Sequence, residues 1–555
     1  MGIYLNPGCK GFQTIRNGVY VDKTGLIDYV NSTINTPLKL TCFSRPRRFG
    51  KSFAAKMLCA YYDKSCDSRS LFEGLEISKK DSFEKGLNKY DVIYLDITWF
   101  ISRAQTKGDN LILDIQAAVI EELKEAFSDC VKDDETYLPE ALSGIANKTN
   151  RQFVIIIDEW DALFRESKDD EALQKEYLQL LRGLFKSGPS TDETIAAAYM
   201  TGILPVKKYG TESALTDFRE YTMTRPGKLA EYVGFTETEV KQLCDIYQMD
   251  FEDLKIWYDG YSFSRIAHVY SPNSVINALQ EGEILNYWTQ TESFESLKQY
   301  IEGNFDGLKD AIIAMLGNES VKMKISTFQN DITSFKCADD VLTLLVHLGY
   351  LAYDPAERTA RIPNLEVSEI FEDAVNGDDW GIVGRALAES DKLLDATINQ
   401  NEEAVEEALE KIHGSVSSVL QYNNEASLSC ALTIAYYTAK RFYYIIRELP
   451  AGKGFADLAF IPHRNTDRPA MIVELKYDRD ADTAIRQIHD NRYDGALKEH
   501  FGNLLLVGIS YEKDAKGQSA KKHRCVIERA QAVRSGMCGT KSFRNQMIQG
   551  DKRCI

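Results

Sequence analysis

No apolar run in this 555-residue sequence approaches the roughly eighteen residues needed to cross a bilayer. The opening stretch (MGIYLNPGCKGFQ) lacks a basic-then-apolar leader pattern, and Asn6 stands where a myristoylation signal wants Ser or Thr. Paired cysteines are missing as well. Eleven cysteines are scattered singly, with no C-x-x-C and no Cys/His cluster at zinc spacing. Structural zinc is thereby disfavoured, and reduced core thiols are expected. A net positive charge is also absent, and the formal charge of −17 argues against a chain that coats nucleic acid non-specifically. The expectation is a soluble, cytoplasmic protein with no membrane role.

The composition is that of an ordinary globular protein, 44% hydrophobic and 27% charged, and the length is too great for one core. Three or four domains are expected. Charge is unevenly spread. Residues 513–555 carry eleven Lys/Arg against three Asp/Glu, which reads as a flexible basic tail or a strip that tracks a phosphate backbone. Residues 402–410 concentrate Glu402, Glu403, Glu406, Glu407 and Glu410 on a helical face, expected to be solvated.

The most informative stretch is Ser44-Arg45-Pro46-Arg47-Arg48-Phe49-Gly50-Lys51-Ser52. An apolar strand-like run (38–43) leads in, and Phe53 and the residues after it open a helix. A strand, a tight loop and a helix with Gly-Lys-Ser at the junction can cradle nucleotide phosphates on backbone N–H groups and a helix N-terminus. Lys51 would reach the β/γ-phosphates and Ser52 would offer its hydroxyl to Mg²⁺. Arg45 stands where the usual pattern has its first glycine; with Arg47 and Arg48 it would add cationic contacts while giving up glycine's freedom of φ. A basic surface loop is the competing account. Just upstream, Val19-Tyr20-Val21 precedes a helix capped by Asp22 or Thr24 and would wrap the base or merely pack.

Strand-like VIYLD ends at Asp96, and an amphipathic helix follows around 109–128. Residues 153–159 then run through four β-branched residues into Asp158-Glu159, the pattern of a central parallel strand with two acids at its C-terminal edge. Asp158 would hold Mg²⁺ through water and Glu159 would polarise the attacking water. The next strand, 195–203, carries Thr201 as candidate sensor of the γ-phosphate. Lys207, Lys208 and Arg219 are candidate sensor cations, or surface charge. Alternating strands and helices imply a parallel sheet covered on both faces.

Residues 225–300 read as helical with aromatic punctuation, and Thr236 with Glu239 forms a capping-box signature. Core packing is the favoured account of Trp257, Tyr258, Tyr261, Tyr270, Tyr287 and Trp288. Helices around 307–315 and 338–349, followed by a hairpin over 349–363, suggest a winged-helix-like module. From about 420 the plan changes to helix (425–440), three strands, helix (481–498) and strand. Asp457 and Glu474 fall on consecutive strands, where two carboxylates can bind Mg²⁺. Lys476 shares the face of Glu474 and would orient water or stabilise the transition state. Gln487 follows on the helix. D…E-x-K on strands two and three is the plan of the PD-(D/E)-x-K nucleases, although a lone E-x-K is common by chance and a solvent-facing ion pair is the alternative.

Taken together the chain resembles bacterial and archaeal proteins that join an AAA-ATPase-like N-terminal domain to a PD-(D/E)-x-K nuclease domain. The resemblance rests on YVDKT (20–24), SRPRRFGKS (44–52), VIYLD (92–96), IIIDEWD (155–161), TGI (201–203), WYDGY (257–261), YSPNSV (270–275), NYW (286–288), GFADL (454–458) and IVELK (472–476). It implies an α/β chain: a P-loop, ASCE-type parallel-sheet ATPase domain (1–220), a helical lid (221–300), a winged-helix-like and helical linker (301–420), a restriction-endonuclease-like α/β domain (421–530) and a basic tail (531–555). It assigns Lys51 and Ser52 to the nucleotide, and Asp158 and Glu159 to Mg²⁺ and hydrolysis; the loop and strand reading adds Arg45, Arg47, Arg48, Phe49, Gly50, Phe53 and Thr201 to the expected nucleotide-binding set. Asp457, Glu474 and Lys476 are assigned to phosphodiester cleavage, supported by Glu425 and Gln487. Ser52, Asp158, Asp457 and Glu474 are the expected metal ligands. ATP and Mg²⁺ are implied, with Mn²⁺ an option at the nuclease site. Nucleic acid is the expected partner, DNA favoured over RNA, and self-assembly is left open. Two other classes stay open: a nucleotide-dependent signalling or oligomerisation switch, and a nuclease fold that grips nucleic acid without cutting.

Overall fold

The computed structural model describes residues 2–530 apart from 108–109, 187–188, 207, 210–211, 214, 264, 289–293, 302–304, 329–334, 376–380, 417–431, 434, 452–453, 464–465, 492–496, 498–499, 501 and 513–522. The chain divides into two compact units: Met1–Glu389 with Ile412–Gln421 and Cys430–Tyr437, and Ser390–Lys411 with Tyr422–Ser429 and Thr438–Ile555. Among the described residues no helix is long and apolar enough to cross a membrane.

The first unit is built on five parallel strands, β1 (Leu40–Ser44), β2 (Asp91–Asp96), β3 (Phe153–Asp158), β4 (Ile195–Gly202) and β5 (Arg219–Tyr221), in the order β2-β3-β4-β1-β5. Strands β1, β3 and β4 are buried at every residue, which is why they read as unbroken apolar runs rather than alternating ones. Strand β4 lies between β1 and β3, so the strand feeding the Gly-Lys-Ser loop is not adjacent to the strand bearing the acids. That inserted strand is the arrangement the ASCE resemblance implies. Pairing of Asp96 with Asp158, and of Phe43 with Thr201, brings Asp96, Asp158 and Thr201 to the C-terminal ends of their strands on one side of the sheet. Helices α1 (Gly25–Thr33), α2 (Lys51–Tyr62) and α3 (Leu111–Ala126) belong to this part, with a short α4 (Ala162–Glu166) directly after the acids. One core cluster joins Ile155 and Ile157 of β3 to Ile115, Val119 and Leu123 of α3.

Residues 221–300, expected as a helical lid, also contain a three-stranded antiparallel sheet: β6 (Phe235–Thr236), β7 (Tyr261–Phe263) and β8 (Ile266–Tyr270), in the order β6-β8-β7. Strands of two to five residues are too short to show a period of two, so they escape a pattern reading. Around them lie α5 (Glu237–Tyr247), α6 (Phe251–Tyr258) and α7 (Pro272–Glu281). The Thr236–Glu239 capping box forms at the start of α5. Tyr258, Tyr261, Tyr270, Tyr287 and Trp288 are all buried. Next come α8 (Leu308–Leu316), β9 (Val321–Lys322), α9 (Ala338–Leu348) and the hairpin β10 (Ala352–Asp354)–β11 (Thr359–Arg361), with β9 paired to β11, followed by α10 (Leu365–Val375). Helices followed by a hairpin were expected here; β9, which completes the small sheet, was not.

The second unit holds a mixed sheet in chain order: β12 (Tyr443–Ala451), β13 (Gly454–Pro462), β14 (Ala470–Tyr477), β15 (Leu504–Tyr511) and β16 (His523–Arg529). All pairs are antiparallel except β14 with β15, which are joined through α12 (Ala481–Asn491), as a parallel pair requires. Strand β16 falls in the stretch read as a basic tail. The acidic helix α11 (Glu402–Val416) corrects a second expectation. Glu403 and Glu407 are exposed as expected, but the carboxylates of Glu402, Glu406 and Glu410 accept the backbone N–H groups of Ile527 (2.8 Å), Cys525 (3.3 Å) and His523 (2.7 Å) on the edge strand β16. Four helical residues rise about 6 Å and two strand residues about 6.8 Å, so carboxylates one turn apart meet alternate strand donors. An exposed sheet edge is covered in this way.

Candidate functional site

The loop from Ser44 to Ser52 leaves β1 and enters α2. Its left-handed turns fall at Arg48 (φ 64°) and Gly50 (φ 92°), and position 45 needs none. The missing first glycine therefore costs this loop no strain, while Gly50 holds a φ that other residues adopt only with difficulty. Arg45 does not face the cleft. Its guanidinium is buried between the rings of Phe43 (4.5 Å) and Phe263 (4.7 Å), and Nη1 donates to the carbonyls of Ser44 (2.9 Å) and Tyr221 (3.3 Å). Burial pushes its pKa down to about 9. The expectation that Arg45 meets phosphate is corrected, because two aromatic faces from different strands enclose it.

The remaining loop residues line a cleft of about 1010 Å³: Arg47, Arg48, Phe49, Gly50, Lys51 and Ser52, with Phe53 at its exposed rim. That volume suits a small-molecule site. Phe49 is buried edge-on against Tyr261 and accepts at its carbonyl the N–H of Gly234. Another wall comes from Val19, Tyr20, Val21 and Lys23, and a further one from Asn273, Ile276 and Asn277 of α7. Lys23 is fixed by Glu239 of the capping box at 2.7 Å. The upstream segment thus lines the same cleft as the phosphate-type loop, and α7 is a wall that sequence reading did not assign.

Lys51 is buried; its ammonium donates to the Pro46 carbonyl (2.9 Å) and lies 3.3 Å from Glu159 Oε1. Asp158 is buried and accepts hydrogen bonds from Ser52, from Tyr94 (3.3 Å) and from Thr201 (3.4 Å). Burial raises its pKa against the pull of Ser52 and Lys51. Glu159 sits at a left-handed φ of 51°, a strained position for a non-glycine residue. Burial would raise its pKa too, but Lys51 and Arg165 outweigh burial and hold the carboxyl below its usual range. The Arg165 guanidinium reaches Glu159 Oε2 at 2.5 Å and Asp161 Oδ2 at 3.1 Å. Of the cations proposed as sensors, Arg219 is exposed on β5 and outside the cleft lining, Lys208 is described in its backbone only, and Lys207 lies outside the described residues. Arg165 was missed, although its i,i+4 spacing from Asp161 was readable.

In the second unit, continuing the β13/β14 register by one residue sets Asp457 opposite Glu474. Asp457 accepts the N–H of Leu475 at 2.7 Å. Glu474 and Lys476 are both buried, and the Lys476 ammonium donates to Glu474 Oε1 (3.0 Å) and to the Leu475 carbonyl (2.8 Å). Gln487 of α12 donates to the same Oε1. Burial first, then the neighbouring Asp457, push the Glu474 carboxyl up to about 7. Its other oxygen, Oε2, is buried with no hydrogen-bond donor. An orphaned carboxylate oxygen beside a second carboxylate fits a bound cation. Among the described residues no three His, Cys, Asp or Glu side chains gather at metal-ligating distance. Glu425 and the tail 531–555 lie outside the described residues.

Comparison with known proteins agrees with this division. Residues 7–211 match the family model described as predicted AAA-ATPase, and residues 423–518 match that of the PD-(D/E)XK nuclease superfamily. The chain therefore carries an AAA-ATPase-like domain followed by a PD-(D/E)XK nuclease superfamily domain. No curated protein matches it. Solved structures similar to it include the ORC2 protein of Aeropyrum pernix in ADPNP and ADP complexes (11% identity, 64% of this chain and 94% of that one, TM-score 0.24). AMPPCP-bound DnaA from Aquifex aeolicus follows at 10% identity, covering 76% and 96%, with a TM-score of 0.22. PCH-2 of C. elegans stands at 14%, covering 67% and 73%, also at 0.22.

Proposed function

We propose that the chain is an ATP-hydrolysing protein whose nucleotide state gates metal-dependent cleavage of phosphodiester bonds in nucleic acid, DNA in preference to RNA, in the cytoplasm. The observation that carries the reading is the convergence of Asp457, Glu474, Lys476 and Gln487 around one buried carboxylate with an unmet oxygen. Asp457 and Glu474 would hold Mg²⁺ or Mn²⁺, which when bound supplies Lewis acidity at the scissile phosphate. Gln487 fixes the orientation of Glu474. Lys476 places a positive charge where an attacking water is oriented or transition-state charge gathers. In the N-terminal cleft Lys51 would meet the β/γ-phosphates, Ser52 and Asp158 would hold Mg²⁺, Glu159 would polarise water and Thr201 would sense the γ-phosphate.

The test is a cleavage assay on single- and double-stranded DNA and RNA with Mg²⁺ or Mn²⁺, with and without ATP, beside Glu474→Ala and Lys51→Ala proteins. Cleavage that requires Glu474 and changes with ATP only when Lys51 is intact is expected. ATP hydrolysis with no cleavage of any substrate would sink the nuclease assignment and favour a nucleotide-dependent switch.

A further inference from the structure

Both oxygens of the Glu159 carboxylate are engaged by cations, Oε1 by Lys51 and Oε2 by Arg165. An acid held between two cations is a weaker base and polarises a water molecule less. We propose that Arg165 is a cis-acting sensor of the nucleotide γ-phosphate, which leaves Glu159 for the phosphate when a triphosphate binds and so frees Glu159 for hydrolysis. The inference rests on the ATPase reading above.

Three features support the exchange. Arg165 lines the same cleft as Lys51 and Ser52, although it belongs to none of the phosphate-loop residues. Its side chain is only 9% exposed and is anchored from behind, with Nε donating to Asp161, so its outer Nη end is the part left to face a ligand. Asp161 is itself locked, accepting the N–H groups of Ile203 (3.1 Å) and Leu204 (2.8 Å) just past Thr201. Arg165 is thereby tied to the strand that carries the candidate γ-phosphate sensor. A terminal phosphoryl group offers more charge than one carboxylate and accepts a guanidinium through two oxygens, so it competes for both Lys51 and Arg165. A diphosphate lacks that group and leaves Arg165 on Glu159. Glu166, also in the cleft wall and attracting Arg165, acts against the exchange and sets its threshold.

The experiment measures dissociation constants of the full-length protein for ADP and for a β,γ-methylene ATP analogue in Mg²⁺, comparing wild type, Arg165→Ala, Arg165→Lys and Lys51→Ala. For Arg165→Ala the analogue should bind about ten- to a hundredfold more weakly while ADP changes by less than about threefold, and lysine should restore part of the difference. Equal changes for both nucleotides, or none, would overturn the sensor role and leave Arg165 as a residue that only positions Glu159. If Arg165→Ala does not fold, as judged by circular dichroism, Arg165→Gln is read by the same criterion. Wild-type protein that binds neither nucleotide better than Lys51→Ala would overturn the ATPase reading itself, and this inference with it.

Discussion

Replacing Glu366 by glutamine should abolish a pH-dependent loss of stability in the first unit. The Glu366 side chain, on α10, is fully buried. One oxygen accepts the N–H groups of Tyr287 (2.8 Å) and Trp288 (2.9 Å), and the other accepts the Ser274 hydroxyl (2.9 Å). Burial nevertheless pushes its pKa up to about 7, because these hydrogen bonds recover only part of the lost hydration. In the unfolded chain a glutamate titrates near 4.3. Between those values the native protein keeps a proton that the unfolded chain has released, so the contribution is whole below about pH 4.3 and is lost as pH rises through about 7. The difference of about 2.7 units corresponds to about 3.7 kcal/mol. Glutamine is neutral throughout: its oxygen can accept the same two N–H groups and its amide can donate to Ser274, whose proton can turn to Ser271, 3.3 Å away. An unfolding entropy of about 2.1 cal/mol/K per residue, over a cooperative unit of roughly 400 residues, converts about 3.7 kcal/mol to about 4 °C. Scanning calorimetry at pH 5 and pH 8 should find the variant melting about 4 °C above wild type at pH 8 and close to it at pH 5. A constant offset between the two proteins at both pH values would refute the reasoning. The consequence reaches the cleft, since Ser274 belongs to α7, which supplies Asn273, Ile276 and Asn277.

Arg45→Met should leave nucleotide affinity within about threefold of wild type and stability unchanged or higher, because an apolar side chain of similar length suits a site with no carboxylate partner; a loss of affinity comparable to Lys51→Ala in the same titration would contradict this. Gly202→Ala places a Cβ 2.7 Å from the Trp160 ring and against Asp161, and should cost about 1–3 kcal/mol in thermal unfolding together with a lower ATP turnover; an unchanged melting curve would count against the packing described there. Removing Glu402, Glu406 and Glu410 together as alanines should strip three backbone donors of their acceptors, destabilise the second unit by about 1–3 kcal/mol per buried donor at most and promote self-association seen by light scattering. Monomeric scattering with an unshifted melt would show that β16 needs no such cover.

The local grammar of both sites was legible in the sequence. Lys51 and Ser52 at a strand-to-helix junction, Asp158-Glu159 at the end of a β-branched run, and Glu474 and Lys476 two apart in an apolar strand all follow from backbone periodicity and turn chemistry. Those are properties of neighbouring residues, and they determined where strands end and which side chains share a face. Tertiary structure decided the rest. It set β4 between β1 and β3, turned Arg45 into the interior and brought Arg165 to the cleft. It also converted an acidic helical face into a row of acceptors for an edge strand. A charged side chain carries no local signal of whether water, an aromatic ring or a distant backbone will be its neighbour. That choice is made only when segments far apart in the chain come alongside, and the cost of leaving a buried charge or donor unmet then selects the arrangement.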